Sequence, residues 1–113
     1  MTPETFVKQV KKVVIDENNE IYRESFNSAD DIDKVTDEYW KEALALFNKL
    51  NQNDREVLLK IMRQVSIDSV ACIFGIIDGI STFDDKRTEF SLTTISGEKL
   101  SGDLADLILD DDL

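Results

Sequence analysis

The stretch Ser66–Thr82, SIDSVACIFGIIDGIST, is the most apolar run in the chain, yet it carries two aspartates and two glycines. On a helix, Ile67, Val70, Ile73, Phe74, Ile77 and Ile80 recur at three- and four-residue steps and form an apolar face. Asp68, Ala71, Cys72, Gly75, Asp78 and Gly79 form a second face of small or acidic residues. Such a helix can be packed closely on both sides, as a central rather than a surface element. The rival reading is a buried strand, favoured by the β-branched residues of Ile73–Ile80. Helix is preferred because the run continues Asp54–Val65 without a break and lacks alternation. A membrane span needs about 20 apolar residues. Here nine residues separate Asp68 from Asp78, and either charge would be costly in lipid.

Working outward, the spacing predicts a helix of about residues 54–79, capped by Asn53 with Glu56 three positions on. Upstream, Thr36 as cap with Asp37 and Glu38 in the first turn predicts a helix ending near Asn51. Its apolar face is Tyr39, Trp40, Ala43, Leu44, Phe47 and Leu50, and at that spacing the aromatic pair is expected in the core. The short connection predicts an antiparallel helical hairpin. At the start of the chain, Thr2-Pro3-Glu4 combines a capping hydroxyl, a proline at the first helical position and an acid in the first turn. A helix from Pro3 to about Phe26 follows, with Phe6, Val10, Val13, Val14, Ile21 and Tyr22 on its apolar face and a kink expected at 16–20. Residues 27–33 read as a loop. They lack the glycine and distal glutamate of a calcium-binding loop.

Downstream the texture changes. Residues 83–87 form a charged connector. Thr88–Ile95 and Lys99–Ser101, separated by Ser96-Gly97-Glu98, predict a small β-hairpin lying on the helices. A short helix is expected over Asp103–Leu109, with Leu104, Leu107 and Ile108 inward, then a solvated tail, Asp110–Leu113. The expected fold is mainly α, α+β at most. It is a compact helical bundle around the long central helix 54–79, in a single domain of residues 1–113.

The formal net charge is −11, with 24 acidic and 13 basic residues and no histidine. Most of the excess acid lies after residue 63. That balance disfavours nucleic acids and anionic membranes, which need basic footprints. The absence of histidine removes Ser–His and Cys–His catalysis and the usual zinc ligand. The four dispersed glycines match neither a P-loop nor a dinucleotide fingerprint, so no cofactor and no metal is expected. Asp68 and Asp78 lie about 15 Å apart along a straight helix, too far to share an ion. One cysteine forbids an internal disulfide, and Cys72 reads as a small buried hydrophobe. Met1–Val14 has no continuous apolar core of the secretory kind, so a cytoplasmic setting is expected.

Asp78, in the context IIDGI, is the carboxylate most exposed to desolvation. Two roles suit it: a helix end in which Gly79 turns left-handed and Asp78 accepts from the N–H groups of 80–82, or the wall of a pocket. On these grounds the expected function is a non-enzymatic, acidic protein-interaction module. It suits an inhibitor or immunity-type protein that masks a basic partner. The candidate docking acids are Asp84, Asp85, Glu89, Asp103, Asp106, Asp110, Asp111 and Asp112. The alternative is a small-molecule or divalent-metal-binding domain with a pocket at Asp78. Self-association through the small residues Ala71, Gly75 and Gly79 is a further expectation.

Overall fold

A computed structural model describes residues 1–28, 34–81, 83 and 88–113. The chain is mainly helical, and among the described residues no strand is formed. The first helical rod comprises α1 (Pro3–Val10), a π-helical segment (Lys11–Glu17) and α2 (Asn18–Ser28) in unbroken succession. After it come α3 (Glu38–Lys49), α4 (Gln52–Asp78) and α5 (Leu104–Leu109). The molecule is elongated, with principal extents of 50 × 32 × 26 Å.

The helix starts follow the sequence logic, with two caps displaced. Thr2 accepts a hydrogen bond from the Thr5 N–H at 3.1 Å, as expected. For α3 the cap is Asp37, whose Oδ1 accepts from Trp40 N–H at 2.7 Å, rather than Thr36. For α4 it is Asn51, accepting from Asp54 N–H at 2.8 Å, rather than Asn53. In each case two capping residues stand close together, and the one in extended conformation three residues before a free N–H takes the role. At its far end α4 stops at Gly79, whose φ of 84° is left-handed. The Ile80 N–H reaches back to the Gly75 carbonyl at 2.9 Å, closing the helix end.

The first rod runs antiparallel to α4. Phe6 meets Phe74 with ring centroids 6.1 Å apart, Asp16 meets Arg63, and Arg23 meets Glu56. The apolar face predicted for this rod is corrected by the π-helical turns. Val7, Ile15 and Phe26 are buried, whereas Val13, Val14, Ile21 and Tyr22 are exposed. In plain α-helix the residue seven beyond Val7 is Val14, and it would return to the same face. One extra residue in the wide turns puts Ile15 there instead, and eleven residues on, three α-turns, comes Phe26. At the end of the wide turns the Ile15 carbonyl accepts both the Asn18 backbone N–H and the Asn19 side-chain amide, the latter at 2.6 Å.

Two apolar clusters result. At one end Val7, Phe74, Leu104, Ala105 and Ile108 join α1, α4 and α5. At the other, Phe26, Leu44, Phe47 and Leu59 join α2, α3 and α4. There the Phe26 ring stacks on Trp40 and on Phe47, at 5.0 and 4.6 Å. Trp40 is therefore packed as expected, but Tyr39 is 70% exposed, because it lies one residue, about 100°, around α3. The predicted apolar face of the central stretch divides likewise: Ile67 and Phe74 are buried, while Ile73 and Ile80 face solvent. Cys72, expected in the core, is exposed.

The predicted C-terminal β-hairpin is not formed. Around the turn at Gly97 the backbone makes one isolated antiparallel bridge, Thr93 with Lys99. The arms are short and lack a neighbouring strand to extend the pairing. The Ser101 hydroxyl takes the Leu92 N–H at 3.0 Å, which ends the ladder. Leu92 nevertheless packs against the α1–α4–α5 cluster, and so does Leu113 in the tail expected to be solvated. The predicted loop at 27–33 is shortened by α2, which runs through Ser28. Residues 29–33 and 84–87, including Asp84 and Asp85, lie outside the described residues.

Candidate functional site

The C-terminal end of α4 is where the singled-out residues converge. Asp78 occupies the last helical position, where α4's own dipole disfavours an acid. The N-terminus of α5 offsets this. Asp78 Oδ1 accepts from the Gly102 N–H at 2.7 Å and Oδ2 from the Ala105 N–H at 2.8 Å. Of the expected donors at 80–82, Ile80 and Ser81 both donate to the Gly75 carbonyl instead, and residue 82 lies outside the described residues. Asp103, at the capping position of α5, makes no side-chain cap. Asp78 therefore caps a helix that begins 26 residues later. Gly102, with φ of 138°, gives the chain the turn that brings its N–H to the carboxylate.

This clasp fixes the direction of α5 and thereby a row of acids. Leu104, Ala105 and Ile108 are buried, whereas Asp103, Asp106 and Asp110 are exposed on the opposite face at steps of three and four residues. Asp111 and Asp112 continue the row and are also exposed. Among the described residues none of these five carboxylates forms an ion pair, and Asp110 Oδ1 accepts from the Asp112 N–H at 2.9 Å. Lys11 Nζ donates to the Asp110 main-chain carbonyl at 3.4 Å. Five exposed acids at and after one six-residue helix make a concentrated negative surface.

Glu89 stands apart from that row. With Asp78, Ile76, Gly79, Ser81, Thr88 and Phe90 it lines a cavity of about 290 Å³ beside the clasp. Both Asp78 oxygens already hold backbone N–H groups, leaving them reduced capacity for a ligand. Among the described residues no three His, Cys, Asp or Glu side chains converge closely enough to hold a metal ion. The small residues of α4 are distributed over several surroundings. Gly75 is buried, Ala71 is half-buried against the cluster that includes α5, and Gly79 is exposed.

A second polar region was not singled out from the sequence. Between the two apolar clusters, Asp16, Asn19, Glu20, Arg23, Lys60 and Arg63 border a cleft of about 260 Å³. Arg63 donates to Asp16 from two nitrogens, at 3.2 and 3.0 Å. Arg23 bonds Glu56 at 2.7 Å, and that bond holds the Glu56 carboxyl below its ordinary range and the guanidinium above its own. The cleft's two arginines are thus matched by acids, and the Arg63–Asp16 and Arg23–Glu56 pairs tie the first rod to α4. The alignment of Asp16 with Arg63 and Arg23 with Glu56 becomes readable only once the antiparallel register is known.

Comparison with known protein families, with curated proteins and with solved structures finds no match for this chain. Among the described residues no helix is long and apolar enough to cross a membrane.

Proposed function

We propose that the chain is a non-enzymatic protein-interaction module that binds a basic partner through the acidic face of α5 and the residues following it. The observation that carries this reading is the row Asp103, Asp106, Asp110, Asp111 and Asp112, exposed and, among the described residues, without ion pairs, on an element whose orientation is fixed by Asp78. Asp110 gives one oxygen to the Asp112 N–H, and an exposed carboxylate oxygen without an internal cation remains available to an external one. A pre-oriented set adds little ordering cost on docking. Charge complementarity of this kind raises association rates and suppresses wrong partners. A cationic protein surface masked by an inhibitor or immunity-type protein is the partner class that fits, with Asp84, Asp85 and Glu89 as further candidate contacts.

The test is affinity capture from the source cells with the wild-type chain and with a variant in which the five aspartates are asparagine. Basic proteins retained by the wild type, released by salt and lost with the neutralised variant are the expected result. Retention unchanged by neutralisation would remove the acidic face from the mechanism. The pocket alternative is less favoured, because Asp78 uses both oxygens within the fold.

A further inference from the structure

The polar cleft between the first rod and α4 holds binding capacity that the fold does not use. Asp16, Asn19, Glu20, Arg23, Lys60 and Arg63 wall a volume of about 260 Å³ over the buried Leu59. Two features bring these groups together. The extra residue of the π-helical segment turns Ile15 into the core, and Asp16, Asn19, Glu20 and Arg23 then fall within about 140° on one side of it. On α4, Lys60 and Arg63 fall within about 100° on one side of Leu59. Helices that carry π-helical turns often place them at functional sites.

Each ion pair in the cleft leaves part of itself unused. Asp16 Oδ1 accepts from both Nε and Nη2 of Arg63, so among the described residues Asp16 Oδ2 and Arg63 Nη1 make no bond. Arg23 gives Nη1 to Glu56 at 2.7 Å and its Nε stands 3.7 Å from Glu20, which leaves Nη2. Lys60 forms no ion pair among the described residues. The unused donors thus belong to three cations, and the unused acceptors to two acids, Asp16 and Glu20. A simple anion would meet the carboxylates, and a simple cation the three bases. A molecule carrying both charges avoids both penalties, since each end faces its opposite. We propose that the cleft binds a small zwitterion of the amino-acid kind, its carboxylate on Lys60 and the free Arg63 nitrogen and its ammonium on Asp16 Oδ2 and Glu20. Hydrogen bonds between charged groups are the strong ones, and the volume lies just under the roughly 300–1,000 Å³ of pockets for drug-sized ligands. Neither the acidic face of α5 nor a basic partner enters this site.

Isothermal titration calorimetry of the full chain with each of the standard amino acids, offered singly at up to about 10 mM, tests this. At least one should bind with a dissociation constant below about 1 mM. The N-acetyl and carboxamide derivatives of the best binder each lack one of the two charges, and both should bind about tenfold more weakly or worse. Lys60 is exposed, so Lys60→Met should leave the far-UV circular dichroism unchanged while weakening binding by about tenfold or more. Lys60→Arg, which keeps the cation, should hold affinity within about threefold of wild type. No binding by any amino acid at about 10 mM, a derivative lacking one charge that binds as tightly as its parent, or unchanged affinity in the folded Lys60→Met chain would each overturn the proposal.

Discussion

At the scale of single residues, Asp78 shows how one carboxylate can serve two helices. It stands where α4's dipole opposes it and is held there by the N–H groups of Gly102 and Ala105. Hydrogen bonds to a charged acceptor are worth about 1.5–3 kcal/mol each when the donor would otherwise be buried. These donors are partly open to water, so the pair together should be worth about 2 kcal/mol. Asp78→Ala should therefore lower unfolding free energy by about 2 kcal/mol, near the upper range for a lost helix cap. Asp78→Asn, which keeps one acceptor oxygen and turns an amide towards the second N–H, should lose somewhat less. Denaturant unfolding measures both. A wild-type midpoint in the alanine variant would mean that the two bonds do not hold α5 in place. The sequence marked Asp78 as singular and Gly79 as a left-handed stop, because both follow from local context. It could not name Gly102 and Ala105 as donors, since they come from a segment 24 and 27 residues away.

At the scale of elements, the π-helical segment decides which side of the first rod meets the core. Helix existence, the Thr2 cap and the position of Pro3 were legible because they depend on neighbours in sequence. The apolar face was misjudged after Val10, because a 3.6-residue period was carried through turns that hold one residue more. Burial of Ile15 in place of Val14 is the visible consequence. A deletion should expose this directly. Removing Val14, an exposed residue within the segment, restores a plain seven-residue step from Val7 to the position now held by Ile15. Helix content should be retained and the denaturation midpoint little changed. Removing Ile21, equally exposed but in regular α2, rotates Phe26 about 100° away from Trp40 and Phe47. That deletion should cost about 3 kcal/mol or more, the usual scale for emptying a buried aromatic site. Equal losses from the two deletions would show that the extra residue in the wide turns is not what sets the register. The failed hairpin belongs at this scale as well: β-branched residues and a glycine turn were present, but one bridge without a neighbouring strand does not make a ladder.

For the whole molecule, charge and apolar area are sorted onto different surfaces. The acids of α5 and the tail face outward, with Asp110 holding the Asp112 N–H, while Ile61, Val65 and Ile73 are exposed on an apolar side of α4. The sequence made the acidity plain but not this sorting, because both sides of α4 look apolar until the first rod and α5 have taken one of them. The acidic face should respond to salt. Raising ionic strength from about 0.01 M to about 0.15 M shortens the screening length from about 30 Å to about 8 Å. Attraction between the acidic face and a basic partner is then screened, and association should slow by about tenfold or more. Partner binding by surface plasmon resonance across the salt series measures this. An association rate unchanged over that range would mean that the carboxylates of Asp103, Asp106, Asp110, Asp111 and Asp112 do not steer the encounter, because exposed charges separated by more than the screening length lose their attraction.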